Sequence, residues 1–264
     1  SPPYWEKSMS EPVTAAKCGA LLDALRVKKP LVHFITNYVT VNDCANITLA
    51  VGGAPVMSDQ PDDAAEICRL ASALVFNIGT PGDRTLEAML RAGKAANEAG
   101  IPVVLDPVGA GASSFRNRLL EKLLEEVKFA AVKGNISEIR FLASGTGKSM
   151  GVDASKDDIA LGSDSSAVAR LAAGLSRGIG AVVIVSGRID VAADGERAYG
   201  ISNGDAMMGR LTGTGCMGSG VVASFLGAAP SEPLASSIAG MCVMGLAGEL
   251  ARKKLAPSSG TGTY

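Results

Sequence analysis

The sequence is poor in aromatic residues, has one histidine and one tryptophan, and carries no surplus of either charge. Of its 264 residues only 4% are aromatic and 19% charged, with 25 Lys plus Arg against 26 Asp plus Glu. A net charge of −1 without a dense basic block gives no electrostatic basis for gripping nucleic acid or an anionic membrane. A hydrophobic content of 47% excludes a disordered chain. The five cysteines are an odd number without CxxC spacing, too sparse for a stapled secreted domain, so reduced thiols in a cytoplasmic protein are expected. The longest uncharged stretch, 211–231, contains five glycines and Pro230. It reads as a turn followed by a buried helix, because a membrane span needs roughly 20 mostly apolar residues. Residues 1–8 show no basic-then-apolar leader pattern and read as a tag or processing remnant. A single domain over 9–264 is expected.

What is abundant is short apolar runs rich in Val and Ile, alternating with segments of helical period. Strands are expected at 31–36, 54–57, 73–78, 102–106, 129–133 and 181–186. Most are apolar throughout, as strands covered on both faces are. Helices are expected at 64–71, 85–99, 114–127 and 165–177. The repetition predicts an α/β fold with a mainly parallel central sheet and helices on both faces. Residues 190–201 differ, since Asp194-Gly195 between two short runs signals an edge hairpin. The nearly uncharged segments 215–226 and 234–250 predict helices buried in the core or against another subunit.

In such sheets ligands bind beyond the carboxyl ends of the strands. The strongest local signal is Thr212-Gly213-Thr214-Gly215-Cys216 ahead of an apolar helix. The two glycines let successive amides converge, and the helix start adds partial positive charge, which suits a phosphate or a developing phosphoryl charge. A glycine-rich helix entry that merely packs closely is the alternative, but Thr-Gly-Thr-Gly holds more glycine and hydroxyl than capping needs. Cys216 falls in the first helical turn, either as a base or polar neighbour of a substrate hydroxyl or as a small buried hydrophobe. Asp106, ahead of Pro107-Val108-Gly109, could hold Mg²⁺ directly or through water, or simply start an Asp-Pro turn. Asn135 and Glu138 have the spacing of a capping box, and Glu138 also lies one turn past a strand beside Lys133.

Two features mislead. Gly145-Thr146-Gly147-Lys148-Ser149 ends like a phosphate-binding loop, but Leu142 stands where that pattern requires Gly. His33, within an apolar strand, is better read as structural than as part of a Ser–His–Asp hydrolase.

Together, the stretches 31–37, 53–57, 74–80, 104–112, 134–139 and 213–216 resemble the hydroxyethylthiazole kinases, a ribokinase-like family of thiamine biosynthesis and salvage. The resemblance implies ATP- and Mg²⁺-dependent phosphorylation of the primary hydroxyl of 4-methyl-5-(2-hydroxyethyl)thiazole. It puts Asn37, Met57 and Gly213 on the thiazole, and Lys133, Asn135 and Ser186 on the nucleotide side. Asp106 and Glu138 would position Mg²⁺, and Gly213, Thr214, Gly215 and Cys216 would form the anion hole. The resemblance places Lys133 and Ser186 where many relatives have Arg and Thr; lysine keeps the charge of Arg but loses its bidentate fork. The resemblance further implies a homotrimer with active sites between subunits, and relatives that continue past residues 260–263. Other readings are a kinase of another small heterocyclic alcohol and a non-catalytic binder of thiazole and nucleotide. A Rossmann dehydrogenase is disfavoured because no GxGxxG follows the first strand.

Overall fold

The computed structural model describes residues 12–145, 164–256 and 258–264. Its centre is one eight-stranded sheet. Strands β1 (Leu31–Ile35), β2 (Ala54–Met57), β3 (Ala73–Asn77), β4 (Val103–Asp106), β5 (Ala131–Asn135) and β6 (Val182–Ser186) run parallel. Strands β7 (Asp190–Ala193) and β8 (Ala198–Ile201) close one edge as the expected antiparallel hairpin. The spatial order is β2-β1-β3-β4-β5-β6-β7-β8.

Alternation along each strand divides the core. Leu74 and Phe76 of β3 enter one cluster with helices α3 (Pro61–Leu70), α4 (Asp83–Ala99), α5 (Ser114–Glu126), α6 (Ile136–Gly145) and α7 (Ser165–Ile179). Ala73 and Val75 enter the opposite cluster. There they meet α2 (Val41–Val51), α8 (Thr214–Ala228) and α9 (Pro233–Lys254), with α1 (Ala15–Lys28) packed outside. Both faces of the central strands are therefore dry, which is why their sequences are apolar without alternation.

The sheet and helices follow the sequence expectation, with corrections at the boundaries. The strand expected at 129–133 is displaced to Ala131–Asn135, because Gly134 and Asn135 pair with Val185 and Ser186 of β6. Phe129 lies before it, its ring edge-on to Phe76 at 6.2 Å. Lys133 is thus a mid-strand residue rather than the strand's last. Helices α1 and α2 were not marked by a clear apolar stripe. The loop resembling a phosphate-binding motif lies, beyond Gly145, outside the described residues. His33 is fully buried in β1, where Nε2 donates to the Ser58 carbonyl and Nδ1 has no partner among the described residues.

Helix α8 is buried from Gly218 to Gly227, so intramolecular packing alone accounts for its missing charge. By length and composition α9 could cross a membrane, but it packs along α8 and α1 with 61% of its most apolar window buried. Contact between α8 and α9 depends on Gly240, where a Cβ would stand 2.9 Å from the Val222 Cα. Leu246 and Leu250 of α9 remain half exposed.

Candidate active site

The sheet register brings polar strand ends side by side. Asn77 and Asp106 are partners across β3 and β4, and Asn135 and Ser186 across β5 and β6. Helix α8 starts at this edge. Its N-cap, Gly213, has φ +95°, a left-handed conformation that glycine adopts without strain. Gly215 is helical, so only one of the two glycines supplies the unusual turn. Among the described residues the amides of Thr214, Gly215 and Cys216 have no hydrogen-bond partner, whereas Met217 N–H already donates to the Gly213 carbonyl at 2.8 Å. Three unpaired donors at the positive end of a 15-residue helix form a ready anion site.

Lys133 is 3% exposed, and its Nζ donates to the Gly215 carbonyl at 2.9 Å. That bond ties β5 to the first turn of α8. A cleft of about 520 Å³ opens beside it, lined by Lys133, Ser186, Asp190, Asn203, Thr214 and Gly215 among others. The Ser186 hydroxyl donates to the Gly134 carbonyl at 3.3 Å, and the Thr214 hydroxyl to the Met208 carbonyl at 3.0 Å.

Behind the helix start lies a buried polar network. Asp106 Oδ2 accepts from Asn77 Nδ2 and from the Ser219 hydroxyl, both at 2.9 Å. Burial pushes the Asp106 carboxyl up from its ordinary range, the Lys133 charge pulls it down, and the Glu138 charge adds to the rise. Asn77 Nδ2 also lies 3.1 Å from Cys216 Sγ, and Asn37 Nδ2 lies 3.5 Å from the same sulfur. Asn37 Nδ2 in turn donates to Asn77 Oδ1 at 2.9 Å, while Asn37 Oδ1 holds the Thr40 amide and hydroxyl. The neighbouring Cys44 thiol is pushed up to about 12, chiefly by burial and next by Cys216.

Asn135 and Glu138 form the capping box their spacing predicts: Asn135 Oδ1 accepts from Glu138 N–H, and Glu138 Oε2 from Asn135 N–H. Glu138 does more, since its Oε1 accepts from the Gly109 amide at 3.0 Å and so holds the loop after Asp106. Met57, half-buried at the end of β2, packs against the same core cluster as Cys216.

Three contributors escaped the sequence reading. Arg116 clamps two loops, donating to the Ile78, Val108 and Gly79 carbonyls. It looked like an ordinary charged residue early in an amphipathic helix. Asp190 lines the cleft, its carboxyl pushed up by burial and drawn back by the Gly187 amide and Lys133. Asn77 sits at the last position of an apolar strand, a location that could have flagged it.

Residues 22–264 match the model of the hydroxyethylthiazole kinase family. The chain is 48% identical over 248 residues to the hydroxyethylthiazole kinase of Clostridium beijerinckii, covering 94% of this chain and 88% of that protein. It is 49% identical over 244 residues to that of Ruminiclostridium cellulolyticum, covering 92% and 87%. The solved hydroxyethylthiazole kinase of Pyrococcus horikoshii superposes with a TM-score of 0.80 at 34% identity, over 93% of this chain and 89% of that one. A ribokinase-like protein of Enterococcus faecalis, at 12% identity and TM-score 0.58, shares the fold. With the family model matched over residues 22–264 and nearly half its residues shared with these enzymes, the chain is a member of the hydroxyethylthiazole kinase family.

Proposed function

We propose that this family member transfers the terminal phosphoryl group of ATP to the primary hydroxyl of 4-methyl-5-(2-hydroxyethyl)thiazole, serving thiamine biosynthesis or salvage. The observation that carries this reading is that, among the described residues, the amides of Thr214, Gly215 and Cys216 have no partner, at a helix start that lines the cleft through Thr214 and Gly215 beside the buried Lys133. Phosphoryl transfer passes through a loose transition state in which positioning and charge stabilisation dominate. Helix-end amides aimed at the moving group supply that stabilisation without reorganising. In this reading the nucleotide occupies the cleft lined by Lys133 and Ser186, near Asn135. The thiazole lies on the side of Asn37, Met57 and Gly213. The Cys216 sulfur, facing two amide donors, is held as an acceptor beside the substrate hydroxyl.

Among the described residues no three His, Cys, Asp or Glu side chains converge as a closed metal cage. Mg²⁺ suits this arrangement as a hydrated ion, which ordinarily keeps several waters and binds through one or two carboxylates and the phosphates. Asp106 would hold it through Oδ1, since Oδ2 is occupied by Asn77 and Ser219. Glu138, with both oxygens on backbone amides, would act through water and by fixing the loop. Bound there, Mg²⁺ would neutralise charge on the phosphates.

The proposal includes one domain over 9–264, a homotrimer with shared sites and a cytoplasmic location. The half-exposed Leu246 and Leu250 support an apolar contact, and the five free thiols support a reducing compartment. ADP release, measured with and without the thiazole alcohol, tests the activity. Release that depends on the alcohol supports the kinase; binding of both compounds without release would leave a non-catalytic binder.

A further inference from the structure

All four hydrogen-bonding positions of Asn77 are engaged, and each partner belongs to a different part of the site. Its Oδ1 accepts from Asn37 Nδ2 and from the Gly79 amide, both at 2.9 Å. Its Nδ2 donates to Asp106 Oδ2 at 2.9 Å and to Cys216 Sγ at 3.1 Å. An amide has two acceptor lone pairs and two N–H donors, so this side chain is saturated. It is also 2% exposed, and its register beside Asp106 is set by the sheet. Saturation fixes its flip: exchanging O and N would face an oxygen to the Asp106 carboxylate and leave the Gly79 amide without an acceptor.

We propose that Asn77 is a positioning residue for phosphoryl transfer, orienting the Cys216 sulfur and the Asp106 carboxylate together through the two hydrogens of one amide. The inference rests on the roles read above for Cys216 and Asp106. Its physical content is a fixed relation between two groups that approach from different elements, α8 and β4. Without Asn77 the sulfur loses its shorter donor directly. The longer one, Asn37 Nδ2, loses the Oδ1 acceptor that aims it. Among the described residues Ser219 is then the one hydrogen-bond donor left on the Asp106 carboxylate. Such coupled polar networks are worth more together than their separate bonds suggest. A side chain that only filled the core would have no such link to Cys216.

The test is a double-mutant cycle in the full chain with ATP, Mg²⁺ and the thiazole alcohol. Asn77→Ala is expected to lower kcat by about tenfold to a hundredfold, with the KM for ATP within about threefold of the parent. Asn77→Asp keeps the shape and the acceptor for Asn37 and Gly79 but turns a donor into an acceptor facing Asp106. Its kcat loss is expected to be at least as large. In a Cys216→Ala background the Asn77→Ala penalty should shrink, because part of what Asn77 positions is already gone. The remainder should appear as a raised Mg²⁺ requirement. Losses that multiply fully, or an Asn77→Asp enzyme with parental kcat, would overturn the proposal. Should Asn77→Ala not fold, the isosteric Asn77→Asp decides by its kcat and by the same cycle. A parent enzyme with no alcohol-dependent ADP release would instead overturn the kinase reading.

Discussion

Replacing Gly213 by Ala perturbs the helix start through two costs that the structure separates. At φ +95° a side chain is strained whatever the surrounding space, at about 1–2 kcal/mol for a left-handed non-glycine residue. The new Cβ would also stand 2.7 Å from Thr40 Cγ2 and 3.1 Å from Thr40 Cβ. Thr40 is buried and cannot move aside easily, since its amide and hydroxyl both donate to Asn37 Oδ1. Overpacking of this kind adds about 1–3 kcal/mol. Together the two give a loss of about 2–5 kcal/mol, or a fall in melting temperature of roughly 4–20 °C for a chain of this size. Displaced amides at Thr214 and Gly215 should lower kcat by about tenfold to a hundredfold. Thermal unfolding and steady-state ADP formation measure the two effects. Adding Thr40→Ser removes Cγ2, the 2.7 Å contact, while keeping the hydroxyl and the 3.1 Å contact of Cβ, so it should recover part of the overpacking loss and leave the backbone part. A Gly213→Ala protein with parental melting temperature and turnover would show that neither the left-handed turn nor the Thr40 contact constrains the helix start.

Three further outcomes follow from the same geometry. Cys216→Ala should lower kcat moderately, and Cys216→Asp should keep or raise it, because the sulfur assists a transfer governed mainly by positioning; an inert but folded Cys216→Asp enzyme would remove the residue from its assigned place. Asp106→Asn should reduce turnover with a loss that excess Mg²⁺ only partly offsets, as steady-state rates over a Mg²⁺ titration would register. Sedimentation velocity should find a trimer, and a stable monomer at assay concentration would contradict shared sites.

The sheet was legible because its strands are dry on both faces, which writes them as unbroken apolar runs. Strand β5 was misplaced for the opposite reason: Gly134 and Asn135 look like a loop, and only the pairing with β6 reveals them as strand. A buried lysine whose ammonium reaches a helix-end carbonyl has no local signature. The Gly213–Cys216 segment was visible as a glycine- and hydroxyl-rich helix entry, although Gly215 turned out helical and Gly213 alone takes the left-handed turn. Glu138 shows how a local explanation can be correct and still incomplete. It closes the capping box with one oxygen and holds Gly109, 29 residues away, with the other. Arg116 acts through loops that meet only in the folded chain, so spacing along the sequence carried no trace of it, whereas Asn77 was marked by its place at the end of an apolar strand and only its partners were hidden.

The most direct measurement is a crystal structure with a non-hydrolysable ATP analogue and the thiazole alcohol bound together. The terminal phosphate should lie on the amides of Thr214, Gly215 and Cys216, with the alcohol oxygen on the Asn37 and Met57 side. Triphosphate density bound elsewhere on the molecule, with those three amides facing only solvent, would contradict that placement.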